Sequence, residues 1–353
     1  YLGQEVVPDS GCGSWLFESQ STNLIPYSEN INSNGFSFIG SSIQADATTS
    51  PDGTTNSDLH KEDATNGNHF MYKDFNLSSG QTYAISVFAK SNGVNRNLRF
   101  GDGGVGWSSG FNVNFDLTNG TASSGGVIES YGNGWYRCSV VGTTNATTSR
   151  LIVYNLLGTN TSYQGNGSSG VYLWGMQIEA GNISSYIPTS GSSVTRNRDL
   201  CNNGGSLASI NSGSGTFFVD FKYLTDNDSS NANWFGIESA TGNSRVLFYK
   251  GANNNQRLLI INNLDIVFNN TSLFNIVKNQ QYKLAVRYDS GNISVYLNGT
   301  EIDTSTNTYT SPIENLVTIS LNESNQDLGC KLKSLVVWKE GLSDSELQSL
   351  TTI

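Results

Sequence analysis

Charge is scarce in this sequence. Only 14% of its 353 residues are Asp, Glu, Lys or Arg, against about a quarter in an average domain. The balance is acidic, a net charge of -10, and the 19 Lys and Arg residues form no cluster. That excludes a nucleic-acid partner and suits a neutral or weakly charged ligand. Proline occurs 5 times and histidine twice, at His60 and His69. Two histidines without a nucleophile elbow exclude a serine triad. The 4 cysteines, Cys12, Cys138, Cys201 and Cys330, are widely spaced and form no CxxC pair, which argues against zinc. Cys138 reads as a buried thiol, and Cys12 and Cys201 sit in glycine-rich loops where a bridge stays open. No apolar run approaches membrane length, so no membrane insertion is expected. No signal peptide is in view, and a chain beginning at Tyr1 reads as a fragment or a mature form.

What is present is aromatic and turn-rich. The chain holds 16 Phe, 16 Tyr, 6 Trp and 38 Gly. Helix formers are sparse, while β-branched and aromatic residues recur between Asn/Gly turns, which predicts an all-β protein. Tyr83, Ile85, Val87 and Ala89 alternate with Ala84, Ser86, Phe88 and Lys90. Phe111, Val113, Phe115 and Leu117 alternate with Asn112, Asn114 and Asp116. A period of two marks a strand with one buried face. Further on, Tyr282, Leu284, Val286 and Tyr288 alternate, and Asn298-Gly299 is the strongest hairpin signal. Ser343 and Glu346 form a capping box, with Leu342 placed to staple onto Leu347, so a short C-terminal helix is expected.

The stretch from Gly170 to Arg196 divides the chain. In Val171 to Ile178 the even residues Tyr172, Trp174, Met176 and Ile178 share one face, which would fill a sandwich core. Gly175 marks a bulge or a close backbone approach. Pro188 fixes an extended tether, and Thr189 to Thr195 has hinge composition. The organisation expected is a lead-in at 1–14, a sandwich at 15–188, a linker at 189–199 and a second sandwich at 200–353. About eight strands precede the divide, the count of a jelly roll. Closure of such a sandwich would set Leu16 and Phe17 beside Tyr172 to Ile178.

Five pieces in order, TNLIPYSE, SPDGTT, GQTYAISVFAK, GNGWYRCSV and SYIPTSGSSVTR, carry a resemblance to the carbohydrate-binding-like jelly roll of bacteriophage head-spike and tail-fibre proteins. The second half, through YDSGNISVYLNGTEI and GLSDSELQSL, resembles the laminin-G-like or concanavalin A-like lectin/glucanase sandwich. The fold class expected is thus all-β: two tandem antiparallel sandwiches, a jelly roll and then a concanavalin A-like one. The resemblance implies a non-enzymatic module on a virion surface or, alternatively, a bacterial extracellular surface. It implies glycans as partners, homo-oligomers (trimers among them) or other virion proteins, and a structural calcium. The hydrolase branch shows acids at alternate strand positions, and no E-x-D-x-x-E pattern occurs here. Three readings stay open: glycan-binding virion adhesin, non-catalytic region of a secreted polysaccharide-degrading protein, and structural decoration without glycan affinity.

Sugar binding calls for an exposed aromatic plane with polar groups beside it. Trp107, in the glycine-rich GVGWSSG, Tyr163, in TSYQGNGSS, and Trp234, after a polar loop, are the candidates. Loop packing or core placement is the competing reading for each. Trp135 and Trp174, in strand patterns, read as core or half-buried sandwich residues. Tyr249, Tyr288 and Tyr296 would line a sheet face or fill a core. For calcium, Glu18 and Glu179 would meet if the first and last strands were neighbours, and two unpaired acids at short range call for a cation. Asp226 and Asp228 form a weaker candidate pair. No catalytic residues are identified.

Overall fold

The computed structural model describes residues 6–9, 12–108, 111–204, 210–224, 232–251, 255–306, 309, 312–313, 315–321 and 329–353. The chain is β throughout, with antiparallel strands and a single α-helix among the described residues, Asp344–Thr351. It forms two compact units, and they are nested rather than tandem. Unit 1 comprises Tyr1–Gln20 with Asn197–Ile353, and unit 2 is Ser21–Arg196.

This nesting corrects the expected boundaries. The strand Cys12–Phe17 does not pair with Gly170–Ala180. It pairs with Cys330–Trp338, through Trp15↔Leu332 and Phe17↔Cys330, and Phe17 enters the core of unit 1. Its expected place is taken by Ser21–Asn23 and Leu24. The Leu24 N–H donates to the Ile178 carbonyl at 2.8 Å, and the Asn23 amide bonds Ile178 N and the Met176 carbonyl. The predicted hinge is also tied down. Val194–Arg196 pairs antiparallel with Ser21–Asn23, and the Thr189 hydroxyl donates to the Ile25 carbonyl.

Unit 2 is two facing sheets. One runs Thr121–Ala122, Val113–Asp116, Arg96–Gly101, Thr148–Leu157, Asn66–Asn76 and Ser162–Gln164, with Ser37–Ile39 also on Asn66–Asn76. The other runs Gly126–Gly132, Trp135–Thr143, Thr82–Asn92, Gly170–Ala180, Ser57–Glu62 and Ser41–Thr48. Tyr83, Ile85, Val87 and Ala89 enter the core between them, as their alternation predicts, and so do Phe111, Val113, Phe115 and Leu117. In Gly170–Ala180 the face assignment changes midway. Val171 and Leu173 face the core, and beyond a register shift between Trp174 and Gln177 it is Met176 and Ile178 that do. Gly175 sits in this bulge at φ +63°, and a Cβ there would lie 2.8 Å from the Phe88 ring. One extra residue flips every later side chain to the opposite face. Tyr172 and Trp174 therefore lie outside, packed with Phe88, Trp135 and Tyr186.

A buried ion pair joins the sheets of unit 2. Arg96 donates from Nε and Nη2 to the two Glu62 oxygens, both at 2.7 Å, and Glu62 is fully buried. The Tyr163 hydroxyl (2.8 Å) and Asn166 N–H (2.9 Å) complete the carboxylate. Burial alone would raise Glu62, but these donors hold it below its ordinary value. Next to it, burial and then the charge of His69 push His60 down to about 3.

Unit 1 repeats the two-sheet plan. One sheet runs Val6–Asp9, Cys12–Phe17, Cys330–Trp338, Ser214–Tyr223, Gln281–Asp289, Asn292–Leu297 and Thr300–Ser305. The other runs Cys201–Gly204, Leu316–Leu321, Ala232–Ser239, Arg245–Lys250, Asn255–Asn262 and Asp265–Asn275. The Asn298-Gly299 turn has both residues at positive φ, +50° and +83°, the geometry of a two-residue hairpin with matching twist. The terminal helix is capped as predicted: the Ser343 hydroxyl accepts from Glu346 N–H, and Glu346 accepts from Ser343 N–H at 2.8 Å. Leu347 is buried against Phe218, Ala285 and Tyr296, with Leu342 and Leu350 beside it.

Candidate functional site

The outward face of the first sheet of unit 2 carries an aromatic row. Side chains in register across antiparallel strands line up on one face. Ile39 pairs with Phe70, Phe70 with Tyr154, Tyr154 with Arg99, and Arg99 with Asn114. These residues alternate with core residues Met71, Val153, Leu98, Phe100, Val113 and Phe115, so their side chains point outward. A second row runs beside the first, from Ser37 through Tyr72 and Ile152 to Gly101. Phe70, Tyr72 and Tyr154 are half-buried, and Ile39 is 48% exposed.

The rings form one surface. Phe70 lies 5.0 Å from Tyr154 and 6.1 Å from Tyr72 between centroids. Arg99 rests over Tyr154 at 5.8 Å and Arg150 over Tyr72 at 4.9 Å, both within cation–π range. Arg150 is held in place by a bidentate pair to Asp74, 2.7 and 2.9 Å. Gly101 keeps the floor low beside Tyr154, because a Cβ there would lie 3.0 Å from that ring. Arg99 Nε and Asn114 Oδ1 are shielded from solvent and have no hydrogen-bond partner. This is an aromatic surface with polar groups over and beside its rings, and such surfaces stack a sugar's apolar face and orient its hydroxyls. Sequence reasoning missed it because Phe70 and Tyr72 flank Met71. With both faces of the strand apolar, period alone could not say which was buried. The usable signal was Tyr154 between Arg99 and Phe70, and only pairing reveals that.

The predicted residues lie elsewhere. Trp107 is 7% exposed, packs on Phe111 with ring centroids 4.7 Å apart, and donates its indole N–H to the Arg150 carbonyl at 2.8 Å. It closes one end of the core and offers no open plane. Tyr163 is buried beside Arg96, with its hydroxyl spent on Glu62. Burial first, and that hydrogen bond next, raise the Tyr163 phenol above its ordinary value. Trp234 lies in Ala232–Ser239, and its side chain is outside the described residues. Trp135 and Trp174 are buried, but on the outward face of the second sheet rather than between the sheets.

The calcium candidates are not brought together by strand pairing. Glu18 belongs to unit 1 and Glu179 to unit 2. Glu179 is buried and already accepts from Ser21 Oγ, Gln177 Nε2, Ser184 N and Ser184 Oγ. These donors bind the Gly181–Thr189 return against the sheet. Four protein donors satisfy a carboxylate without a cation. Asp226 and Asp228 lie outside the described residues, and no cluster of three or more metal-ligating side chains occurs among the described ones.

In unit 1, Tyr288 is core, donating to the Asn211 carbonyl, and Tyr296 lies under the terminal helix. Tyr249 is half-buried beneath Arg257. A hollow of about 570 Å³ opens between the sheet and the helix start, lined among others by Arg287, Asp289, Ser294, Thr304 and Glu346. It has no aromatic plane, and Arg287 is committed to Asp344, Ser294 and the Leu342 carbonyl. Three glutamates of this unit lie apart in the sequence: Glu238 is buried and bonded by the Ser320 hydroxyl, Glu301 is exposed at an edge strand, and Glu314 is outside the described residues.

Among solved structures, the Ruminococcus gnavus IT-sialidase CBM40 is 15% identical, covering 40% of this chain and 84% of its own at a TM-score of 0.33. Domain 4 of AbnA, a GH43 extracellular arabinanase from Geobacillus stearothermophilus in complex with arabinotriose, is 20% identical, covering 46% and 73% at 0.35. A heptameric SAP-like pentraxin from Limulus polyphemus is 16% identical, covering 42% and 79% at 0.32. No curated protein matches the chain. The family model of the concanavalin A-like lectin/glucanases superfamily matches residues 204–348, and that segment of unit 1 is a concanavalin A-like domain.

Proposed function

We propose that this chain is a non-enzymatic glycan-binding protein whose sugar platform is the outward face of the first sheet of unit 2. The half-exposed row of Phe70, Tyr72 and Tyr154, flanked by Arg99 and the Arg150–Asp74 pair, carries the reading. Flat, ring-lined sheets bind saccharides by stacking and hydrogen bonding and need no catalytic group. The lectin-type family of residues 204–348 supports a binding role. The low charge and uncharged polar loops suit a neutral polymer. On this reading the protein works at a surface: of a virion, as a fibre, spike or decoration, or of a bacterium.

A glycan array tests the proposal, run on the full chain with calcium and again with chelator. Selective retention of one polysaccharide class is expected, lost on Tyr154→Ala and on Tyr72→Ala. Trp107→Ala, which alters the core, should leave the specificity pattern of the remaining folded protein unchanged. Retention that survives both tyrosine changes would move the site away from this face. A folded chain that retains nothing leaves structural decoration as the account of unit 2.

A further inference from the structure

Two partnerless polar atoms belong to one cross-strand residue pair at the end of the aromatic row. Arg99 and Asn114 face each other across antiparallel strands, and Arg99 Nε and Asn114 Oδ1 are both shielded and unbonded. They are of opposite kind. The guanidinium N–H can only donate, and the amide oxygen can only accept. Buried polar atoms without partners are uncommon in folded proteins, and each calls for an explanation. Two on one residue pair, next to a half-exposed tyrosine, point to a ligand group that serves both.

The charges around the pair narrow that group. Arg150 is neutralised by Asp74. Asp116, two residues beyond Asn114, accepts from the Thr118 and Asn119 N–H groups and the Asn119 amide. Neither sign dominates. A carboxylate or sulfate would satisfy Arg99 Nε but would set negative oxygen against Asn114 Oδ1. An ammonium would satisfy Asn114 but would meet the Arg99 cation. A hydroxyl donates to the one and accepts from the other.

We infer that this face selects neutral glycans, and that Arg99 and Asn114 are specificity-determining residues reading a hydroxyl of the sugar next to the one stacked on Tyr154. The inference rests on the reading of the aromatic row as a sugar platform. Arg99 now lies over Tyr154, so a sugar settling on that ring displaces the guanidinium and uncovers both atoms.

The test uses the full chain and matched polysaccharides: dextran, carboxymethyl-dextran and dextran sulfate, and methyl-esterified against free polygalacturonate, printed beside the array glycans. Neutral members should be retained at least tenfold more tightly than their anionic counterparts. Asn114→Ala and Arg99→Met should each lower retention of neutral glycans about tenfold, the loss of roughly one hydrogen bond, with thermal unfolding confirming the fold. Anionic members bound as tightly as neutral ones would overturn the inference. So would wild-type affinity in Asn114→Ala and Arg99→Met alongside lost binding in Tyr154→Ala, a result that leaves the platform standing. A wild-type chain that retains no printed glycan sinks platform and inference together.

Discussion

Removing Arg96 should unfold unit 2 far more readily than any surface change. In Arg96→Met the fully buried Glu62 keeps the Tyr163 hydroxyl and the Asn166 N–H but loses its cation and two bonds of 2.7 Å. Breaking a buried pair from one side costs about 3–5 kcal/mol, because the remaining charge stays desolvated. For a unit of this size each kcal/mol is worth about 2–4 °C, so a fall of roughly 6–20 °C is expected. Differential scanning calorimetry of the full chain would read it as an early transition separate from that of unit 1. The double variant Glu62→Gln/Arg96→Met should recover part of the loss, because no unpaired charge remains. The pH dependence has a definite sign. Glu62 is held below its ordinary value of 4.5 in the folded chain. Its contribution is therefore full above that value and is lost as pH falls through the lower, folded one. The gap between wild type and Arg96→Met should narrow under the same acidification. An Arg96→Met chain within about 1 kcal/mol of wild type at neutral pH would refute the reasoning, since that is the range of an exposed pair.

Other perturbations have equally specific outcomes. Gly175→Ala combines a positive φ with a Cβ 2.8 Å from Phe88, and chemical denaturation should show a loss of about 1–3 kcal/mol. Trp107→Ala should destabilise unit 2 by about 3–5 kcal/mol, read by loss of near-ultraviolet circular dichroism at lower denaturant. Ser343→Ala removes the helix cap and should lower unit 1 stability by about 1 kcal/mol, with Ser343→Asp restoring it. His60, held to about 3 by burial, must be protonated on unfolding in mild acid. Its contribution is present above the ordinary histidine value of 6.5 and declines as pH falls below it. His60→Asn should flatten the acid limb of the thermal stability curve.

Local pattern made the strands legible, and long-range pairing decided the rest. Alternation placed Tyr83 to Ala89 and Phe111 to Leu117 correctly, and the Asn298-Gly299 turn and the Ser343–Glu346 box needed only neighbouring residues. Gly175 was recognisable as an irregularity, but its effect on phase was not. The bulge leaves Tyr172 and Trp174 outside and puts Met176 and Ile178 inside, although all four have the same parity. Trp107 misled because glycine-rich flanks usually mean exposure. Here Gly106 is packed tightly on Thr148 and Ser149, and the ring seals the core. The aromatic face was hidden for a third reason. Its members come from Asn66–Asn76, Arg96–Gly101, Val113–Asp116 and Thr148–Leu157, and only the register between them assembles it.

The paired ends of unit 2 bear on how the chain is made. Cys12–Phe17 has only the short Val6–Asp9 beside it until Cys330–Trp338, about 310 residues later, joins it to the rest of its sheet. Unit 2 is complete by Arg196, before most of unit 1 has left the ribosome, and domains generally fold as they emerge. Once folded, Val194–Arg196 against Ser21–Asn23 brings the two exits together, and Asp199 N–H then donates to the Glu18 carbonyl at 2.9 Å while Glu18 N–H donates to Asp199 Oδ2 at 3.0 Å. The long loop is shortened to the residues of unit 1 itself, which lowers the entropic penalty of closing it by about 0.7 kcal/mol. Folding thus runs from the inside outward: the inner module acts as a built-in clamp for the outer one, and slow folding of Ser21–Arg196 would leave Cys12–Phe17 waiting for the rest of its sheet.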